Sequence, residues 1–155
     1  MRPSDLVARE PSQTRNHRDP LKLSMRPSAQ RLAASSALLI GAGFVVASGL
    51  IHLYLWADGY KHITTIGPLF LAQAVAGLVL AVILVAYPRT LAAAGGVAYL
   101  LATIGAFALS ATVGLFGFMD TLDAPWASPS LIVESAGIAL FAIGGALASI
   151  ESRAA

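Results

Sequence analysis

The segment PLFLAQAVAGLVLAVILVAY, residues 68 to 87, decides the fold. It carries no charge, and Gln73 is its only strongly polar side chain. At about 1.5 Å of rise per residue, a helix of this length covers the roughly 30 Å hydrocarbon core of a bilayer. Pro68 sits where a helix begins, and there its missing amide costs nothing. Pro88 cannot continue the helix, Arg89 supplies a charge, and Thr90 is placed to cap the next helix, so the reversal is tight. A third span is expected from about Leu91 to Met119, closed by Asp120. The link TLDAPWAS at 121 to 128 then brings in Ser128 as N-cap and Pro129 as first helical residue of a fourth span, about 129 to 150.

Upstream, the polar link DGYKHITT at 58 to 65 separates residue 68 from another apolar stretch, Leu32 to about Ala57, which is the first span. Residues 1 to 31 are polar, proline-bearing and without sustained apolar periodicity, the pattern of a disordered tail; residues 151 to 155 form a second short tail. The expected fold class is all-α: a four-helix transmembrane bundle occupying 32 to 150. Composition agrees, since 57% of the 155 residues are hydrophobic and only 12% are charged. Mean hydropathy is +0.74. The chain has no cysteine, which excludes disulfides, thiolate metal sites and dithiol redox chemistry and leaves the compartment unmarked.

Basic residues set the expected orientation. Seven of the ten lie in the first 31 positions, so a pI of about 9.3 reflects membrane topology and not a nucleic-acid partner. With both termini in the cytoplasm, the inner segments hold nine basic residues and the outer links hold only Lys61. The expected location is a bacterial plasma membrane, crossed four times, with the lipid bilayer as first partner. A cleaved signal peptide competes for the first span, but the apolar run exceeds the usual length and ends in Tyr54 and Trp56, not in a cleavage site.

Small residues recur in the first span at Gly41, Gly43, Ala47 and Gly49, and in the third at Gly95, Gly96, Gly105 and Gly114. In lipid they let helix backbones approach closely, so a compact bundle is expected. Gly144, Gly145 and Ala146 in the fourth span suit packing inside the bundle, between copies in a homo-oligomer, or within a larger membrane complex.

Polar groups inside the spans are few: His52, Gln73, Glu134 and some Ser and Thr that satisfy themselves on their own helix. Counted from the span ends, His52, Gln73 and Glu134 lie at one depth in the outer leaflet. A carboxylate inside a span costs about 2.5 to 3.5 kcal/mol and is usually paired or functional. Near a helix N-terminus, Glu134 gains from the dipole and can take a bond from Ser130. His52, Trp56 and Tyr60 form a stripe at helical spacing, with Ser48 one turn deeper. The plain reading of these groups is an interfacial aromatic belt over a satisfied histidine, and a polar clamp between helices. The functional reading is an outward-facing pocket of His52, Trp56, Tyr60, Gln73 and Glu134, with imidazole and carboxylate paired across helices one and four. Gln73 with Gly77 and Ala81 makes a polar and small stripe suited to an interhelical bond.

No metal site is expected: Asp58, His62, Asp120 and Asp123 share the outer side, but no His-x-x-x-His or Glu-x-x-His pair marks a preformed site. Haem is not expected, because His17 and His62 lie outside the spans and leave His52 without a second axial ligand. The sequence names no cofactor.

HLYLWADGY at 52 to 60, followed by IGPLFL at 66 to 71 and by Glu134 near the start of the last span, resembles a pattern in small four-span membrane proteins of high-GC, actinobacterial type that have no assigned activity. Arg outnumbers Lys eight to two, in keeping with a GC-rich coding sequence. A looser similarity reaches the DoxX-like four-helix proteins; it implies quinone or thiol redox chemistry, and the thiol part has no cysteine to support it. The expectation is a non-enzymatic accessory or small-ligand-binding membrane protein. A quinone- or metal-linked redox subunit is the first alternative. A small proton-coupled exporter is the second, disfavoured because Glu134 lies near the outer surface of the last span.

Overall fold

A computed structural model describes residues 27–87 and 90–154. Four helices, α1 (Pro27–Asp58), α2 (Ile66–Ala86), α3 (Thr90–Thr112) and α4 (Ala127–Ala154), run up and down, with one 3-10 turn at Tyr60–His62 between α1 and α2. All four are long and apolar enough to cross a membrane. Even the shortest, α2 with 21 residues, reaches about 32 Å at the standard rise. The chain is therefore a multi-pass membrane protein built as an all-α four-helix bundle.

Buried positions step three and four residues at a time along every helix. On α2 they are Gly67, Ala74, Gly77, Ala81 and Leu84, and on α3 Ala93, Gly96, Leu100, Thr103 and Ser110. On α1, Val45, Ser48 and Leu55 follow the same seam, with half-buried His52 between them; on α4 the seam is Ala127, Glu134, Gly137, Phe141 and Gly144. A period near 3.5 is the packing of left-handed helix bundles. Large apolar residues such as Val75, Val79 and Val82 face outward instead, 53%, 54% and 68% exposed, as a lipid-facing surface requires.

The proximal half of the bundle, nearer the chain ends, is packed with apolar side chains, apart from an open apolar groove between α2 and α3 at Leu80, Tyr87 and Leu91. Leu38, Val45, Leu84, Leu100 and Phe141 form its apolar core. Phe141 is wedged between Gly41 and Gly96, where an added Cβ would approach its ring to 2.7 and 2.5 Å. α1 packs most extensively on α4 and α2, and α4 on α3, while α2 and α3 meet sparsely. The distal half, under the two connections, is where polar residues collect.

The structure corrects several boundaries. The third helix stops at Thr112, not near Met119. Gly114 at φ +83 takes the left-handed conformation that closes a helix, and its amide returns to the Leu109 carbonyl at 2.9 Å. Leu115 and Phe118 then exchange two backbone bonds of 2.8 and 2.9 Å. Phe116 and Gly117 between them both have positive φ, as a type I′ turn demands. The segment 113–126 is thus a folded cover and not the last turns of a span. α4 starts at Ala127, two residues before Pro129, and the Ser128 hydroxyl faces the Leu122 carbonyl at 3.5 Å instead of capping the helix. α2 likewise starts at Ile66, before Pro68. α1 begins at Pro27, so residues 27 to 31 of the expected tail are helical, and α4 runs through most of 151 to 155. The remainder of the expected tail, 1–26, and the Pro88-Arg89 reversal lie outside the described residues.

Candidate functional site

The distal half encloses a cavity of about 300 Å³, reached by all four helices and roofed by the 113–126 cover. α1 contributes His52, α2 Phe70 and Gln73, α3 Thr103 and Ser110, and α4 Glu134. Antiparallel helices that start or stop together bring residues about two turns from their ends to one level. That is why His52, Gln73 and Glu134 converge.

Glu134 is the polar centre. It is 1% exposed, and its Oε1 accepts two hydroxyl bonds, from Ser48 of α1 at 3.0 Å and from Ser130 one turn back on α4 at 2.9 Å. Its Oε2 has no hydrogen-bond partner among the described residues, yet it is not sealed, since no buried side-chain oxygen or nitrogen is left unpartnered. No basic side chain among the described residues stands against it. A lone buried carboxylate is costly in low dielectric, so a proton or a bound cation must balance its charge.

His52 does not bond Glu134 directly, which corrects the expected pairing. Ser48 stands between them: its hydroxyl goes to the carboxylate, and its carbonyl takes the His52 Nδ1 at 2.9 Å. A carbonyl only accepts, so Nδ1 carries the hydrogen, and in the neutral imidazole Nε2 is then the acceptor. The signal for this bridge lay in the seam, with Ser48 one turn before His52. Hydroxyls in spans usually bond their own helix, and that hid it.

Gln73 is held by a closed polar ring across the sparse α2–α3 contact. Its Nε2 donates to the Thr103 hydroxyl, which donates to the Tyr99 backbone carbonyl at 3.0 Å, while the Tyr99 hydroxyl donates to the Gln73 backbone carbonyl at 3.0 Å. The Thr103 hydrogen is thereby used, so Gln73 donates through its side-chain nitrogen and leaves Oε1 without a partner among the described residues.

Aromatic rings line the chamber beneath the cover. Tyr60 stacks on Phe70 at 4.6 Å and meets Phe118 edge-on at 5.7 Å; His52 lies 5.1 Å from Phe70. Burial pushes the Tyr60 phenol above its ordinary 10.0, and the negative charge of Asp120 pushes it the same way. α1 ends at Asp58, so Tyr60 reaches the cavity from the 3-10 turn and not from a helical stripe. Trp56 does not line the cavity; Leu55 does, because the seam advances by three residues from His52 and not by four. The tryptophan at the site is Trp126, held at φ 65 in the left-handed region and 5.8 Å from Tyr54. A bulky residue in that region costs about 1 to 3 kcal/mol and tends to mark functional places. Asp120 lines the cavity, whereas Asp58, His62 and Asp123 do not.

Among the described residues no three His, Asp or Glu side chains gather as a metal cage. What the arrangement supplies is a small, largely apolar chamber lined by two carboxyl groups, Glu134 and Asp120, the imidazole of His52 and the side-chain amide of Gln73. No family model matches the chain, and no curated protein or solved structure is similar enough to count as a match.

Proposed function

We propose that this protein is a non-enzymatic ligand-binding component of a bacterial plasma membrane, with both termini cytoplasmic and the distal cavity facing outward. The basic-residue bias supports the orientation, since Lys61 is the only basic residue in the two distal connections. One observation carries the binding role: the cavity of about 300 Å³ is lined by Glu134, His52 and Gln73, each with a polar atom that has no hydrogen-bond partner among the described residues. Interiors are close-packed, and a chamber of this size with convergent polar groups is at the lower end of small-molecule sites. A purely structural clamp would close over its polar atoms instead.

A proton-coupled carrier is the second reading, favoured by the absence of a basic partner for Glu134 among the described residues. Its carboxylate lies near one surface, which suits a binding vestibule better than alternating access.

Native mass spectrometry of the protein released from lipid nanodiscs tests the binding role. Unaltered protein should carry a small-molecule mass that is lost in Ala106→Phe, which puts a ring at the cavity's exposed rim. Bare protein, or the same adduct on the plugged variant, would refute it.

A further inference from the structure

We infer that the ligand is a protonated primary or secondary amine carried on a short aromatic or apolar body. This rests on the binding role proposed above and names the chemistry that the chamber selects. The charge on the lining is lopsided: Glu134 and Asp120 are acids, and among the described residues no Lys or Arg lines the chamber. Ser48 and Ser130 spend their hydrogens on Glu134, Ser110 spends its own on the Phe118 carbonyl at 3.3 Å, and Thr103 spends its on Tyr99. The His52 Nδ1 hydrogen goes to Ser48, and the Gln73 amide nitrogen donates to Thr103. What remains open among the described residues is a carboxyl oxygen of Glu134, Nε2 of His52, and the side-chain oxygen and second N–H of Gln73, with the Tyr60 hydroxyl and the Trp126 indole N–H also on the lining.

A ligand that matches this lining must bring positive charge, and N–H donors for the open acceptors of Glu134, His52 and Gln73. A neutral quinone ring brings no positive charge and leaves the acids Glu134 and Asp120 on the lining unbalanced. A carboxylic or phosphate ligand would set like charge against Glu134. An ammonium group answers both demands at once, because it donates up to three bonds and carries the positive charge that Glu134 lacks. The walls suit the rest of such a molecule. Phe70, Tyr60 and Phe118 form a continuous set of rings with centroids 4.6 to 5.7 Å apart, and ring faces attract ammonium groups. A quaternary ammonium would gain from the rings but could not donate to the three acceptors.

The test uses 4-phenylbutylamine and its neutral counterpart 4-phenylbutanol on the full chain in phosphatidylcholine nanodiscs, with empty discs as background. Trp56→Phe leaves Trp126, which lines the cavity, as the single tryptophan reporter. Saturable quenching by the amine, about tenfold or more tighter than by the alcohol, is expected, with the difference lost in Glu134→Gln. Gln keeps an oxygen for Ser48 and Ser130, and the amine-to-alcohol comparison on the unaltered site needs no Glu134 variant at all. Equal binding of the two compounds overturns the amine assignment while the binding role stands. No response to either compound overturns both.

Discussion

Ser48→Ala isolates the bond that joins α1 to α4 inside the bundle. Ser48 is 0% exposed, and its hydroxyl meets Glu134 at 3.0 Å. Interhelical hydrogen bonds in membranes are worth about 0.6 kcal/mol on average and up to about 1.7. Bonds to charged groups reach about 1.5 to 3 kcal/mol. Glu134 keeps the Ser130 bond at 2.9 Å after the substitution, and only one oxygen atom's space is vacated. The expected loss is therefore about 1 to 2 kcal/mol, a five- to thirtyfold drop in the folding equilibrium. Reversible unfolding by SDS in mixed micelles, followed by far-UV circular dichroism, measures it. In a Glu134→Ala background the same substitution should cost less than about 0.3 kcal/mol, since the partner is already gone. Glu134→Gln should retain most of the bond, because the amide oxygen still accepts. A Ser48→Ala cost that is the same with and without Glu134 would refute the bridge.

Gly96→Ala places a methyl group 2.5 Å from the Phe141 ring, which Gly41 confines from the opposite side. It should destabilise the bundle by about 1 to 3 kcal/mol in the same SDS titration, and Phe141→Leu should recover part of that loss. Tyr60 gives a pH signature outside the spans: burial and Asp120 raise its ionisation above 10.0, so the folded state holds the phenolic proton more tightly than the unfolded chain does. Its contribution is complete below pH 10 and disappears as pH rises through the folded value. Stability measured from pH 8 upward should thus fall above pH 10 more steeply in unaltered protein than in Tyr60→Phe, and parallel curves would contradict the assignment.

The membrane bundle was legible because length and hydropathy alone specify a span, and each of the four helices meets that demand. The depth of the site was legible too, since His52, Gln73 and Glu134 could be counted from the span ends. The cover was not. Residues 113 to 119 are as apolar as the helix before them, and the signal that ends the helix is a backbone one, positive φ at Gly114 and Gly117, which an apolar count does not register. Trp56 was misplaced for a related reason. Four-residue steps drift about 40° round a 3.6-residue helix, and the seam stays on the bundle axis by alternating threes and fours, so it reaches Leu55. Direct pairing of His52 with Glu134 followed from charge and depth, but Ser48, a small hydroxyl of no obvious weight in the sequence, occupies the place between them.

The absence of cysteine makes one experiment decisive for the outward-facing cavity. Ser110→Cys is nearly isosteric, and the position is 4% exposed and lines the chamber. In intact cells it should react with a membrane-impermeant trimethylammonium methanethiosulfonate reagent and be slowed by 4-phenylbutylamine. Val79→Cys, on the lipid-facing side of α2, should stay unlabelled. Labelling of Ser110→Cys only in inverted vesicles, or no labelling from either side, would contradict a chamber open to the outside.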